Sequence, residues 1–476
     1  MNPSAVAEFL RLRPRFISPL DPYFYPLSLF QRTYARALEN EGGGVPVKIG
    51  LERENGLFSV FATRVLPPSA KTKDLTRFWV ERLVKFFLWS RGGWKVVWQG
   101  PPEPGARLRD AYSPQGERAF DAKLMSRVYQ KDFVVEFMAP GPFPDERETP
   151  SALGGNWDGC RIGFDLGASD LKVASVVDGQ AVFTREIPWQ PQVQADPSFH
   201  CSRIQDGLKM AASHMPRLEA IGGSAAGIYI ANQVRVASLF RSVPEVVFEQ
   251  RVKDLFLQLG REWNVPLVVL NDGEVTALAG ALSLNRAPML GVAMGSSQAA
   301  GFVDGQGRLR GWLDELAFAP LDASSSAPRD EWSGDQGVGA SYFSQQAVDR
   351  LAGAAGFSFP DEAGLPERLK EIQRLADGDD PRALEVFRTI GLYLGYALPL
   401  YGLFYDLQNC LLLGRVTSGA AGAVIRDKAV EVLRVEFPEW ADRLALHLLD
   451  EHSRRLGQAV AAASLPRIVR KEDSPS

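Results

Sequence analysis

The chain has 476 residues, 45% hydrophobic and 23% charged, with 53 basic side chains against 57 acidic ones. Its 44 Gly and 32 Pro amount to about one residue in six, which excludes a low-complexity disordered chain, and the net charge of −4 argues against a protein that neutralises the phosphates of a duplex. Three widely separated cysteines, Cys160, Cys201 and Cys410, supply neither a disulfide framework nor a cysteine-rich metal site, so a reduced, cytoplasmic setting is expected.

At roughly 150 residues per domain the length predicts about three units. The opening, 1–16, is broken by Glu8, Arg11, Arg13 and Pro14 and does not read as a secretory signal. Residues 47–66 read as two strands joined at Asn55-Gly56, a dipeptide suited to a tight hairpin. A helix follows over 76–90, with Phe78, Leu83, Val84, Phe87 and Leu88 at helical spacing and Gly92-Gly93 beyond its end. Then come a strand (95–98), a helix (about 116–129) and a strand (133–137). Pro140, Pro142, Pro144, Pro150 and Gly154-Gly155 read as a linker, which puts a boundary near residue 155.

From Arg161 the pattern is strand, tight turn, strand, Asp178-Gly179, strand. Helices at about 202–214 and 244–262, a strand over 266–270 and a helix from Glu274 complete the stretch. From Met289 the opening repeats: strand, Gly/Ser turn, strand, with Asp304-Gly305 in the hairpin, a later strand over 410–413, and helices in the remainder. The longest apolar run, 390–404, carries Pro399 and falls short of the ~20 residues that span a bilayer; it reads as a buried helix. The two openings match in order, Asp165-Leu-Gly-Ala-Ser169 with Val177-Asp-Gly-Gln180 against Met294-Gly-Ser-Ser297 with Val303-Asp-Gly-Gln306. Such an internal repeat predicts two related βββαβα lobes around a cleft, 156–284 and 285–476, preceded by an α+β domain over 1–155.

Three loops are candidates for chemistry. Asp165-x-Gly167-x-Ser169-x-x-Lys172 lies on a strand–turn–strand; small residues let backbone N–H groups approach an anion, Ser169 and Lys172 add donors, and Asp165 can hold a hydrated Mg²⁺. The same pattern also serves as an ordinary surface turn. Asn271-Asp272 follows a buried strand and opens a helix, where an Asp either projects into a ligand crevice or caps the helix. Gly414-Arg-Val-Thr-Ser-Gly419 joins an apolar strand to a helix, a place for nucleotide phosphates or ribose.

The order of these pieces is that of the sugar kinase–actin–chaperone ATPases, and residues 160–466 resemble the ROK family (repressors, open reading frames and sugar kinases). The resemblance rests on 164–172, on Gly222-Gly-Ser-Ala-Ala-Gly227, on 269–280, on 295–301, on Asp314-Glu315 and on 412–419. It implies an actin-like ATPase fold and an ATP- and Mg²⁺-dependent sugar kinase, glucokinase-like in its phosphoryl transfer. Asp272 would be the general base, Asn271 and Glu315 sugar contacts, Asp165, Gly167, Ser169 and Lys172 the first phosphate motif, Gly295 and Ser296 the second, and Gly414 and Gly419 the adenosine side.

The departures are as informative. Ala317 and Phe318 stand where the family's Glu-x-Gly-His motif has Gly and His, and 331–338, aligned with its zinc-binding cysteine run, has no sulfur ligand, so no zinc is expected. A second sugar-binding Glu falls near Ala340. The second phosphate loop, Gly295-Ser-Ser-Gln-Ala299, has lost two glycines, with Ser297 and Gln298 able to donate instead. The alternative is therefore a catalytically impaired ligand-binding or regulatory protein. Residues 1–155 lack the winged helix–turn–helix of family repressors, so sugar and ATP are the expected partners, without nucleic acid or membrane; homo-oligomerisation is left open. This region reads either as a degenerate third lobe, motivated by its hairpin–helix–strand order, or as an accessory cap. Trp79, Trp89, Trp94 and Trp98 are either carbohydrate-stacking residues or a small core, and the four histidines carry no motif.

Overall fold

The structure is a computed structural model describing residues 13–148, 154–448 and 451–468, the side chains of 451–456 excepted. The opening as far as Leu12 and the linker around Pro150 lie outside the described residues. Two compact units result, one comprising Met1–Thr149, Val292–Ala300 and Trp312–Leu448, the other Pro150–Gly291, Gly301–Gly311 and Leu449–Ser476.

Among the described residues the first helix of the first unit is α1 (Leu27–Asn40), which the Pro-rich sequence around it concealed. Strands β1 (Val45–Glu52) and β2 (Phe58–Val65) follow, then helix α2 (Lys73–Arg91), β3 (Lys95–Gln99), α3 (Pro102–Ala111), α4 (Ala119–Tyr129) and β4 (Val134–Phe137). The β1–β2 turn places Asn55 and Gly56 at φ 54° and 73°, the left-handed region for which that dipeptide is suited. Helix α2 buries Leu75, Trp79, Leu83 and Phe86 along one stripe and stops at Gly92, φ 79°. The sheet order is β2-β1-β3-β4. Strand β3 runs antiparallel to β1, whereas in a βββαβα lobe the strand after the first helix runs parallel to the first strand. The expectation of a degenerate third lobe is thereby overturned.

The second unit carries β5 (Cys160–Leu166), β6 (Asp170–Val177), β7 (Gln180–Pro188), α5 (Pro197–Ala212), β8 (Ala220–Ala225), β9 (Ile228–Ile230), β10 (Gln233–Val236), α6 (Leu255–Trp263), β11 (Leu267–Asn271) and α7 (Asp272–Leu284). Its main sheet, in order β11-β8-β5-β6-β7, is antiparallel through β5, β6 and β7 and parallel through β5, β8 and β11. This is the expected lobe topology. Ile162, Phe164, Val173, Leu208, Phe256 and Val269 form its core. The helix expected over 244–262 is broken by a wide turn at Phe248–Val252 before α6 begins.

The repeat continues through β12 (Met289–Met294), β13 (Gln298–Val303), α8 (Gln345–Ala354), α9 (Leu365–Asp377), α10 (Pro381–Tyr401), β14 (Asn409–Leu413), α11 (Ala420–Glu436), β15 (Ala445–Leu448) and α12 (Glu451–Ala463). The apolar 390–404 run lies mostly in α10, which is continuously buried from Thr389 to Tyr401. No described helix is long and apolar enough to cross a membrane. The order β13-β12-β14-β15 repeats the first lobe without its third strand. Only the isolated bridge Val303–Leu309 remains of that strand, because Asp304 turns the chain sharply by accepting from the backbone of Gln306 and Arg308.

Candidate functional site

In the second unit, β5 and the first turn of α7 bring two carboxylates together. Asp165, 4% exposed, ends the apolar run of β5. Its Oδ1 accepts from Ser224 Oγ at 2.8 Å and its Oδ2 from Lys172 Nζ at 3.2 Å. The hairpin beyond is braced: Gly167 N–H donates to Asp170 O at 2.9 Å and the Trp189 indole donates to Gly167 O at 2.9 Å. Ser169 is exposed at its tip and donates to Asp170.

The cap of α7 is Asn271, whose Oδ1 accepts from Gly273 N–H at 2.7 Å. Asp272 is the first helical residue, and its carboxyl accepts from the backbone N–H groups of Gly273 and of Asp272 itself. Burial, and then the charge of Asp165, push that carboxyl up to about 6. Tyr229 is pushed up in turn by burial and by Asp272. Asn271 also donates to Gly227 O at 2.7 Å, which leaves one N–H and one lone pair of its side chain for a ligand. Gly301 of β13 permits close approach here, since a Cβ would lie 2.3 Å from Gly273 O.

The remaining candidates lie in the first unit. Gly295 closes a tight turn through its N–H to Ser297 O at 2.9 Å, and Ser296 and Ser297 are exposed. Gln298 does not join them. Strand alternation turns it into the core, 3% exposed, where its amide donates to Tyr401 OH at 3.1 Å. The expectation that Gln298 donates to a phosphate is therefore corrected. Gly414, φ 91°, passes the β12 exit so closely that a Cβ would lie 2.3 Å from Met294 O. Gly419, φ 64°, precedes α11, and Asp377 accepts from Ala420 N–H at 2.9 Å, so a carboxylate of the chain itself sits at that helix N-terminus. Glu315 and Asp314 lie on a segment whose N–H groups donate to the Trp89 and Ser90 carbonyls at 3.0 and 3.1 Å. Asp314 also accepts from Tyr405 OH at 2.7 Å.

Where the sequence departs from the ROK pattern, the N-terminal region fills the space. Phe318 packs on Trp89 (ring centroids 4.4 Å apart) and on Trp332 (5.3 Å). Within 331–338, Asp335 accepts from Lys85 and Arg118. Lys85 also pairs with Asp121, both fully buried. Burial alone would raise Glu81, yet Arg82 and Arg118 hold it down to about 2. Two residues near the paired carboxylates were not singled out from sequence: Ser224, and Gln458 on α12, whose Nε2 donates to Ser224 Oγ at 2.9 Å and to Asp272 O at 3.1 Å. Ser224 does lie within Gly222–Gly227, but nothing in that motif marks its hydroxyl as a partner of Asp165.

No protein-family profile matches the chain, and no curated protein matches it by sequence. Among solved structures it is similar to a ROK hexokinase from Thermus thermophilus, at 20% identity and a TM-score of 0.50, over 64% of this chain and 97% of that one. It is also similar to a ROK family transcriptional regulator, a homologue of the E. coli MLC protein, at 18% identity and a TM-score of 0.52, over 65% of this chain and 79% of that one. The fold is that of the ROK proteins. One of these relatives is an enzyme and the other a regulator, and about a third of this chain lies beyond either match.

Proposed function

We propose that this chain is a divergent ROK-family kinase that transfers the γ-phosphoryl group of ATP to a hydroxyl of a sugar or sugar-like molecule in the cytoplasm. The observation that carries the reading is Asp272: a buried carboxyl near Asp165, shifted to about 6, is ionised at neutral pH while keeping a useful proton affinity. It would accept the proton of the attacking hydroxyl. Asn271 and Glu315 would orient the sugar, Gly167, Ser169, Lys172, Gly295 and Ser296 would hold phosphate oxygens, and Gly414 and Gly419 would face the adenosine. Both oxygens of Asp165 already accept one hydrogen bond, and each retains a lone pair suited to a water on Mg²⁺, a hard cation that prefers oxygen ligands. When bound, that metal neutralises charge on the phosphates.

Asp272→Asn is expected to lower phosphoryl transfer by about 10²- to 10⁴-fold with an unchanged melting curve below about pH 4, where the parental carboxyl is protonated in both states. The parent kcat/KM should fall as the pH drops below about 6, because protonation removes the base. ADP release across hexoses, amino sugars and cyclic polyols measures both, and an Asn variant at the parental rate would rule out Asp272 as base. A regulatory ligand-binding protein is the second reading, favoured by Gln298 turned inward and Asp377 at the α11 N-terminus. A rise in melting temperature with millimolar Mg-ATP favours the kinase; no rise and no ADP release favour the regulator.

A further inference from the structure

We propose that Ser224 and Gln458 are positioning residues that hold the base Asp272 in register with the phosphate-side carboxylate Asp165. The proposal rests on the kinase reading above. It is motivated by an unbroken hydrogen-bonded chain across four elements. Ser224 Oγ on β8 gives its single proton to Asp165 Oδ1 on β5 at 2.8 Å. Its oxygen then accepts from Gln458 Nε2 on α12 at 2.9 Å, and the same amide donates to the Asp272 carbonyl on α7 at 3.1 Å. The polarity is fixed from both ends. A carboxylate and a backbone carbonyl only accept, so the hydroxyl must point at one and the amide nitrogen at the other.

Gln458 reaches this place because α12 lies directly on the sheet. A Cβ on Gly163 or Gly222 would stand 1.7 Å from the carbonyl oxygens of Ala459 or Ala462. The backbone of Asp272 is thus tied to the strand pair that carries Asp165, and not only to its own helix. Ser224 is fully buried, so its two bonds are not exchanged for water, and a chain of this kind acts as a unit. Neither residue is placed to touch a substrate. What they control is the angle from which the carboxyl of Asp272 meets the hydroxyl, to which transfer rates are steeply sensitive.

Gln458→Leu and Ser224→Ala, each compared with the parent in steady-state kinetics, are expected to lower kcat about tenfold while both KM values stay within twofold. The double variant should lose no more than the worse single one, because both cut the same chain. Additive losses, a parental kcat in either single variant, or a change confined to KM overturns the proposal. Ser224→Ala removes one oxygen and carries the test if Gln458→Leu does not fold. Asp272→Asn run alongside separates the two levels. If it is inactive while Gln458→Leu and Ser224→Ala keep the parental kcat, only the positioning chain is lost. If it is active, or if the parent turns over no substrate in the panel, the kinase reading falls and the chain falls with it.

Discussion

A carboxyl shifted upward by its surroundings works against the native state whenever it is ionised. The carboxyl of Asp272 rises from 3.8 to about 6, through burial first and Asp165 second. Because the folded value exceeds the unfolded one, the folded state binds the extra proton. The associated stability is fully present below about 4 and is lost as the pH rises through about 6. Replacing Asp272 with Asn removes that loss. Asp272→Asn should therefore melt above the parent at pH 8, with the difference shrinking to nothing near pH 4, as calorimetry at both pH values can check. A variant that never out-melts the parent would mean that the carboxyl is relieved by a partner. Asp272 was legible as a strand-end Asp, but that Asn271 supplies the helix cap, and that burial and Asp165 raise the Asp272 carboxyl, depends on side-chain geometry that one sequence does not encode. Ser224 and Gln458 were not legible as partners, because they stand 59 residues from Asp165 and 186 from Asp272 and no local pattern joins them.

At the scale of elements, glycines decide how helices seat. Gly222 was legible as part of a motif, but its role is to admit α12, since a Cβ there would stand 1.7 Å from Ala462 O. Gly222→Ala must displace that helix or strain β8, and overpacking of this kind costs about 1–3 kcal/mol. Urea unfolding measures it, and a parental midpoint would mean that α12 is seated loosely. The buried ion pairs of α2 and α4 are a second element-scale device. Lys85 stands between Asp121 and Asp335, so Lys85→Met leaves Asp121 buried without its ammonium, at a cost of about 3–5 kcal/mol. The amphipathic stripe of α2 was legible from its spacing. The partners of its charges, one of them some 250 residues away, were not.

For the whole molecule, Pro and Gly around residue 150 read as a boundary, yet Met1–Thr149 and Trp312–Leu448 belong to one compact unit. Composition marks where a chain bends and not what it then packs against. Phe86 stacks on Phe404 with centroids 4.3 Å apart, Trp89 packs on Phe318 in a tilted pair at 4.4 Å, and Leu27 N–H donates to Leu321 O at 2.8 Å. The loop bearing Glu315 hangs on the last carbonyls of α2. A chain beginning at Gly154 would expose the face of α10 and the 312–345 segment that these residues cover, and would leave Asp335 without Lys85 and Arg118. Exposed apolar surface on that scale promotes aggregation. Such a truncation is expected to be insoluble, or to bind a hydrophobic dye and melt without cooperativity. A truncated chain that elutes as a compact species and melts in one sharp transition would show instead that residues 1–149 are an appendage, and that Glu315 is held by its own lobe.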